Sequence, residues 1–354
     1  MIYDIMIVGA GPVGCKLGEL TAKKGFKVLI LEEHPEIGIP VQCAGLVSHR
    51  IFKLSKVSRK VVVNKVRRAR FYCSDNYMEL KSKKSVYVID RIKFDKEMVK
   101  KAKSAGAVIK TSTKFLGYEG GKFLKVKTNK GTFQSKLLIG ADGPNSTVAR
   151  TTRIKLPDNR LTGVQTMIKS SYNPNTVELW FDSDISQEFF GWVIPKNKNW
   201  ARIGLATKKN VVKCLDKFLL KRFNRKIKCK KVQAGTVRYG LIDNSVSNSI
   251  LLVGDAASQV KPFSGGGLVY GLIGAEIAAK ACIKSLDGKN YKKEFLEENY
   301  DKVWKEKLAR PIRKGLFMNK IIHSFNDEQL GLLFSFIKQV KLTELLEFID
   351  MDLL

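Results

Sequence analysis

Residues 2–32 read IYDIMIVGAGPVGCKLGELTAKKGFKVLILE, and this stretch restricts the fold more than any other. An apolar, β-branched run ends in Gly9-Ala10-Gly11-Pro12-Val13-Gly14. Val13, Leu17, Leu20 and Thr21 then share one helical face, and after Gly25 a second apolar run closes on Glu32. The periodicities predict strand, turn, helix and strand in immediate succession. Each glycine has its own reason: Gly9 for a tight turn, Gly11 for close approach of main chain to a pyrophosphate, Gly14 for close packing of helix on strand. The helix N-terminus then faces phosphate. Glu32, at the end of the second strand, is placed to accept hydrogen bonds from an adenosine ribose, which favours FAD or NAD over NADP.

A chain of 354 residues has room for a large α/β domain with a second domain embedded in it. Cys15, Cys43, Cys73, Cys214, Cys229 and Cys282 are far apart, and the histidines are only His34, His49 and His323. No metal site is expected, and reduced thiols in the cytoplasm are the default. The first residues carry no charged leader with an apolar core, and no apolar run approaches the roughly 20 residues that span a bilayer. The outlier is charge: 64 Lys plus Arg against 33 Asp plus Glu give +31. Residues 50–70 hold no acid, and residues 208–231 hold only Asp216. Such a balance fits either a solvated lysine-rich surface or an anionic partner. No nucleic-acid recognition motif accompanies it, whereas an anionic membrane surface would gain about 1 kcal/mol per nearby Lys or Arg.

A second nucleotide signature lies at 249–279, SILLVGDAASQVKPFSGGGLVYGLIGAEIAA. An apolar strand ends in Gly254-Asp255, and Pro262 precedes Gly265-Gly266-Gly267 at the start of a small-residue helix. Free N–H groups at that start can approach a ligand, and Asp255 is placed for a sugar hydroxyl. This arrangement resembles the second FAD signature of para-hydroxybenzoate hydroxylase-like flavoproteins. Two further stretches are similar to that family's pattern: Val86-Tyr87-Val88-Ile89-Asp90-Arg91 before a helix, and Leu137-Leu138-Ile139-Gly140-Ala141-Asp142-Gly143-Pro144. The resemblance implies an FAD-binding α/β fold of Rossmann type. Cofactor contacts would come from Gly9, Ala10, Gly11, Pro12 and Gly14, from Glu32 and Glu33, and from Arg91 and Asp142. Gly254, Asp255, Pro262, Gly265, Gly266, Gly267 and Leu268 would complete them.

Within these flavoproteins the chain resembles the geranylgeranyl reductase family, in particular its archaeal branch acting on digeranylgeranylglycerophospholipids. Pro40-Val41-Gln42-Cys43-Ala44-Gly45 is similar to a P-x-x-C-G-G segment, with Ala44 for a glycine. Phe190-Gly191-Trp192-Val193-Ile194-Pro195 is similar to the Tyr-x-Trp-x-Phe-Pro substrate motif. By this resemblance Cys43, Ala44 and Gly45 pass the flavin, and Phe190, Trp192 and Pro195 contact substrate. Cys43 would pack on the ring, tune it, or move a proton. The implied reaction joins proton and hydride across an unactivated prenyl alkene, with Trp192 able to stabilise positive charge. The alternatives are an NAD(P)H-dependent flavin monooxygenase, or a carrier that binds lipid or transfers electrons without chemistry. A ferredoxin-like protein, reduced deazaflavin or NAD(P)H would supply electrons.

Short strand-like runs at 161–168, 176–181, 189–194 and 201–206 predict an inserted antiparallel sheet, with Trp180 and Phe181 as ordinary core. The expected organisation is an FAD-binding domain of 1–60, 86–155 and 241–286, a substrate β-sheet domain of 61–85 and 156–240, and a helical segment of 287–354. In that segment Leu330, Leu333, Phe334, Ile337, Leu345, Leu346, Phe348 and Ile349 recur at largely helical spacing, as a packed helix or a lipid-touching face. The protein is expected in the cytoplasm, peripheral on the inner face of the membrane.

Overall fold

The opening run forms the strand Ile2–Val8, whose last four residues are buried. It is central in the first sheet of the computed structural model, which describes residues 1–73 and 76–340. Val28–Leu31 lies parallel on one side, with Ile7 opposite Ile30. Gly131–Gly140 lies parallel on the other, with Ile7 opposite Ile139. Val108–Lys110 and Ile250–Leu252 extend the parallel set outward. Val28–Leu31 and Ile250–Leu252 are apolar and buried throughout, and the last four residues of Gly131–Gly140 are buried as well, because helices cover the middle of the sheet. The helix Pro12–Ala22 packs against both Arg91–Ser104 and Leu268–Asp287. The expected α/β class, with an FAD-type first sheet, is the one observed.

The second sheet has the order 232–238, 160–169, 200–207, 186–195, 176–182, 62–73, 76–89 and 46–47. It contains the four predicted strands, and all pairings are antiparallel except Thr176–Asp182 on Val62–Cys73. Alternation divides its side chains. Trp180 and Val193 face the helix Val211–Phe223, whose Cys214, Leu215, Phe218 and Leu219 pack on them at helical spacing. Phe181, Phe189 and Phe190 join a cluster on the opposite face with Leu330 and Phe334. Trp180 and Phe181 are both buried core, as predicted, and Phe181 also belongs to the aromatic face that lines a cavity.

Two helices, Lys302–Ile322 and Asp327–Gln339, close that face. Of the predicted C-terminal stripe, Leu330, Leu333, Phe334 and Ile337 pack there, and Leu345, Leu346, Phe348 and Ile349 lie outside the described residues. A buried polar chain fastens this helical segment to the second glycine-rich loop. Gly254 donates its N–H to Gln259 Oε1 at 2.8 Å, Gln259 Nε2 donates to the Tyr300 hydroxyl, and that hydroxyl donates to the Leu252 carbonyl. Removing the hydroxyl leaves two buried partners unsatisfied. Tyr300→Phe is therefore expected to lower the unfolding free energy by about 1–3 kcal/mol, read as a lower urea midpoint at unchanged slope.

Candidate functional site

The two sheets and the C-terminal helices enclose a cavity of about 1010 Å³, at the top of the roughly 300–1,000 Å³ usual for small-molecule sites. One end is built by the first glycine turn. A Cβ on Gly14 would stand 2.1 Å from the Gly9 carbonyl oxygen, and one on Gly9 would stand 2.3 Å from the Ala141 oxygen. Both glycines therefore allow close packing, and Gly9, unlike Gly14, also lines the cavity. Gly11 has no atom within 4 Å of a Cβ position, and it lines the cavity. It caps the helix Pro12–Ala22 without a side-chain hydrogen bond, so the first N–H groups of that helix are left for a ligand. Glu32 accepts from the Ala10 N–H at 3.0 Å and from the His34 N–H and ring. Its carboxylate retains acceptor capacity, since about four lone-pair sites are available. Glu33 lines the same end and pairs with Lys114 at 3.3 Å.

The other glycine-rich segment meets this turn across the cavity. Gly265, Gly266, Gly267 and Leu268 line it, and Gly267 caps Leu268–Asp287, again without a side-chain hydrogen bond. Two uncapped helix N-termini thus open on one space. Asp255 lines the wall between them; burial pushes its carboxyl up to about 6, with Arg91 pulling the other way. Gly254 and Pro262 are not in the lining. Gly254 packs on Val13 at a φ of +70°, and Pro262 packs against Gly315. Asp142 borders the cavity, but its carboxylate accepts from the Ser146 hydroxyl and from the Thr147 and Val148 N–H groups, so the chain itself uses it.

The loop of residues 38–45 bridges the two sheets. The Cys43 sulfur accepts from the Gly45 N–H at 3.3 Å, and the Arg91 side chain also reaches it. Burial disfavours the Arg91 charge, but Asp95, at 3.1 Å, and Cys43 outweigh it and hold the guanidinium protonated. Arg202 donates to the Ala44 carbonyl and Gln165 to the Cys43 carbonyl at 3.2 Å. Neither Arg202 nor Gln165 was expected from sequence. The signal they offered was a polar side chain inside an apolar, alternating strand.

Beyond Cys43 the cavity becomes an apolar arm. Phe190, Trp192 and Ile194 line it at period two, with Phe189 and Phe190 stacked at 4.2 Å. Pro195, expected beside them, is not in the lining. Alternation puts it with Val193 on the other face, where its carbonyl accepts from Asn64. Leu179, Phe181, Leu333 and Phe334 continue the arm between sheet and helices. Three lining residues present buried polar atoms without a protein partner: Gln165 Oε1, Trp192 Nε1 and Ser264 Oγ. Together the free helix N-termini, the open Cβ direction of Gly11 and Glu32 fit a flavin dinucleotide.

The family model described as FAD binding domain matches residues 2–295. A Methanocaldococcus jannaschii protein named only as uncharacterized is 32% identical over 99% of this chain and 92% of its own. Digeranylgeranylglycerophospholipid reductase of Methanosarcina acetivorans is 29% identical over 96% of this chain and 89% of its own. Among solved structures, a geranylgeranyl bacteriochlorophyll reductase-like protein from Thermoplasma acidophilum superposes with a TM-score of 0.86 at 25% identity, covering 94% of this chain and 91% of its own.

The two glycines of the first turn should separate in a mutational test. Gly11→Ala is expected to leave the melting temperature of flavin-free protein nearly unchanged while weakening FAD binding about tenfold or more, measured by flavin fluorescence. Gly14→Ala is expected to cost at least about 1–3 kcal/mol of stability before any ligand is added. Asp255 gives a pH signature. Because its folded value is raised from 3.8 to about 6, the flavin-free native state holds a proton there that the unfolded chain releases. Wild-type stability therefore falls, relative to Asp255→Asn, as pH rises from about 4 to 6, and the difference is constant above that. Urea unfolding of both proteins at pH 4.5 and 7 reads it; an equal difference at both pH values would contradict it.

Proposed function

Since the chain belongs to the FAD binding domain family and is an FAD-dependent oxidoreductase, we propose that it saturates C=C bonds of geranylgeranyl chains, with digeranylgeranylglycerophospholipids as substrate. The observation that carries this reading is the continuity of the apolar arm with the end of the cavity built for FAD. An isoprenoid chain offers no hydrogen bonds, so its affinity and position must come from buried apolar surface, at about 25 cal/mol per Å². Phe181, Phe190, Leu333 and Phe334 supply such surface from two sides. The relatives named as reductases of this lipid class support the same reading.

Bound and reduced, FAD supplies the hydride. The protein's own share is to place an alkene, exclude water and handle the proton. Aromatic walls and a lid of two helices keep the arm dry, which strengthens any electrostatic effect within it. Trp192 stands on the arm next to the cysteine loop, and its ring face can stabilise positive charge developing on a prenyl carbon. The Cys43 sulfur, held by the Gly45 N–H and reached by Arg91, is the one thiol of that loop and can carry an exchangeable hydrogen. Arg202 and Gln165 fix the loop carbonyls, and with them the direction of the sulfur. The basic surface attracts an anionic lipid.

Anaerobic incubation of the dithionite-reduced protein with digeranylgeranyl phospholipid tests this reading. The lipid is expected to gain mass in steps of two hydrogens, and Cys43→Ser to slow the first step. No mass gain, together with rapid NADPH-driven oxygen consumption, would sink it in favour of a monooxygenase.

A further inference from the structure

Large apolar side chains are exposed at several isolated points of the surface, but they concentrate in one place. Six of the sixteen among the described residues lie between 317 and 340: Phe317, Ile321, Phe325, Leu332, Phe336 and Val340. Their spacing is helical. Phe317 and Ile321 form one step of four on the helix Lys302–Ile322, and Leu332, Phe336 and Val340 form two steps along Asp327–Gln339 and its cap. Phe317, Leu332 and Phe336 are 65%, 66% and 59% exposed, values that core packing does not account for. Exposed apolar side chains concentrated in this way on two consecutive helices mark an interaction site.

The same two helices are apolar on their other side as well. Met318, Ile322, Leu333, Phe334 and Ile337 line the arm of the cavity. The pair is therefore a wall with greasy faces toward both the substrate arm and the outside. Charge says what lies outside the first of them: residues 307–326 carry Lys307, Arg310, Arg313, Lys314 and Lys320 and no acid, whereas the second helix opens on Asp327 and Glu328 and carries Lys338 in its last turn. Among the described residues no helix is long and apolar enough to cross a membrane. Apolar stripes flanked by cations on helices that do not span are the pattern of segments lying in a bilayer interface, with apolar side chains in the acyl boundary and cations among anionic headgroups.

We propose that the outer face of the helices Lys302–Ile322 and Asp327–Gln339 docks on an anionic lipid bilayer, Phe317, Ile321, Leu332 and Phe336 entering the acyl boundary. The proposal rests on the reading of the substrate as a membrane lipid. It adds the place of contact: a chain that leaves the bilayer at this wall reaches the arm without crossing water, because the wall itself is the boundary between the two.

Co-sedimentation of the full FAD-loaded chain with phosphatidylglycerol–phosphatidylcholine vesicles tests it without requiring turnover. Wild type is expected to partition to the vesicles, less so at high salt. Phe317→Glu/Leu332→Glu/Phe336→Glu should lower the partition coefficient by about tenfold or more, with bound flavin and reduction of detergent-dispersed lipid retained. A second variant, Lys314→Glu/Lys320→Glu/Lys338→Glu, should lose binding to anionic vesicles and keep its binding to pure phosphatidylcholine. Partitioning of the triple Glu variant equal to wild type would overturn the proposal. So would binding that appears only after residues 341–354 are removed, which would make that segment the occupant, or a change in oligomeric state with partitioning unaltered, which would make a second copy the occupant. Loss of the reaction in detergent by wild type would instead refute the substrate reading and leave the vesicle result standing.

Discussion

Close contact of main chain with main chain at the first glycine turn is the constraint on which the site depends. With no Cβ on Gly9 or Gly14, the helix Pro12–Ala22 approaches strand Ile2–Val8 and the Ala141 turn to distances that any side chain would forbid. That approach aims the helix N-terminus into the cavity, and it sets Glu32, at the end of the neighbouring strand, against the Ala10 N–H. The second glycine-rich segment repeats the arrangement from the opposite wall, held by the Gln259–Tyr300 hydrogen bonds. Two helix termini of like polarity then face one volume. This suits a ligand that carries negative charge and acceptor atoms.

The second sheet adds an apolar arm to the nucleotide end of the cavity. Its period of two sends Phe190, Trp192 and Ile194 toward the cavity and Val193 toward the covering helix. One sheet thus serves as the wall of the arm and as half of a separate core. The loop around Cys43 joins the two regions, its carbonyls tied to Gln165 and Arg202 of the second sheet while its sulfur lies by Arg91 of the first domain's helix. The polar end and the apolar arm of the cavity therefore meet at this loop.

Much of this was legible in sequence because it is local. The glycine turns, Glu32, Gly254-Asp255 and the strands at 160–207 each carry their signal within a dozen residues. What was not legible comes from pairing across long separations. Gln165 is 122 residues from Cys43, and Arg202 is 158 from Ala44, so no spacing rule connects them. Strands Val62–Cys73 and Asn76–Ile89 are rich in Lys and Arg, which hides their alternation; residues 50–70 read as a charge cluster first. Motif position groups Pro195 with Phe190 and Trp192, whereas the pleat assigns it to the other face.

In the proposed function one continuous cavity brings a flavin ring and an isoprenoid chain together at the Cys43 loop. The most direct measurement is a crystal structure of the protein with FAD and a non-reducible geranylgeranyl ether lipid. The chain is expected between the strands 176–195 and the helices 302–339, with an alkene carbon about 3–3.5 Å from the flavin ring and Trp192 beside it. A chain bound elsewhere, or an arm sealed from the ring by Phe189 and Phe190, would contradict it.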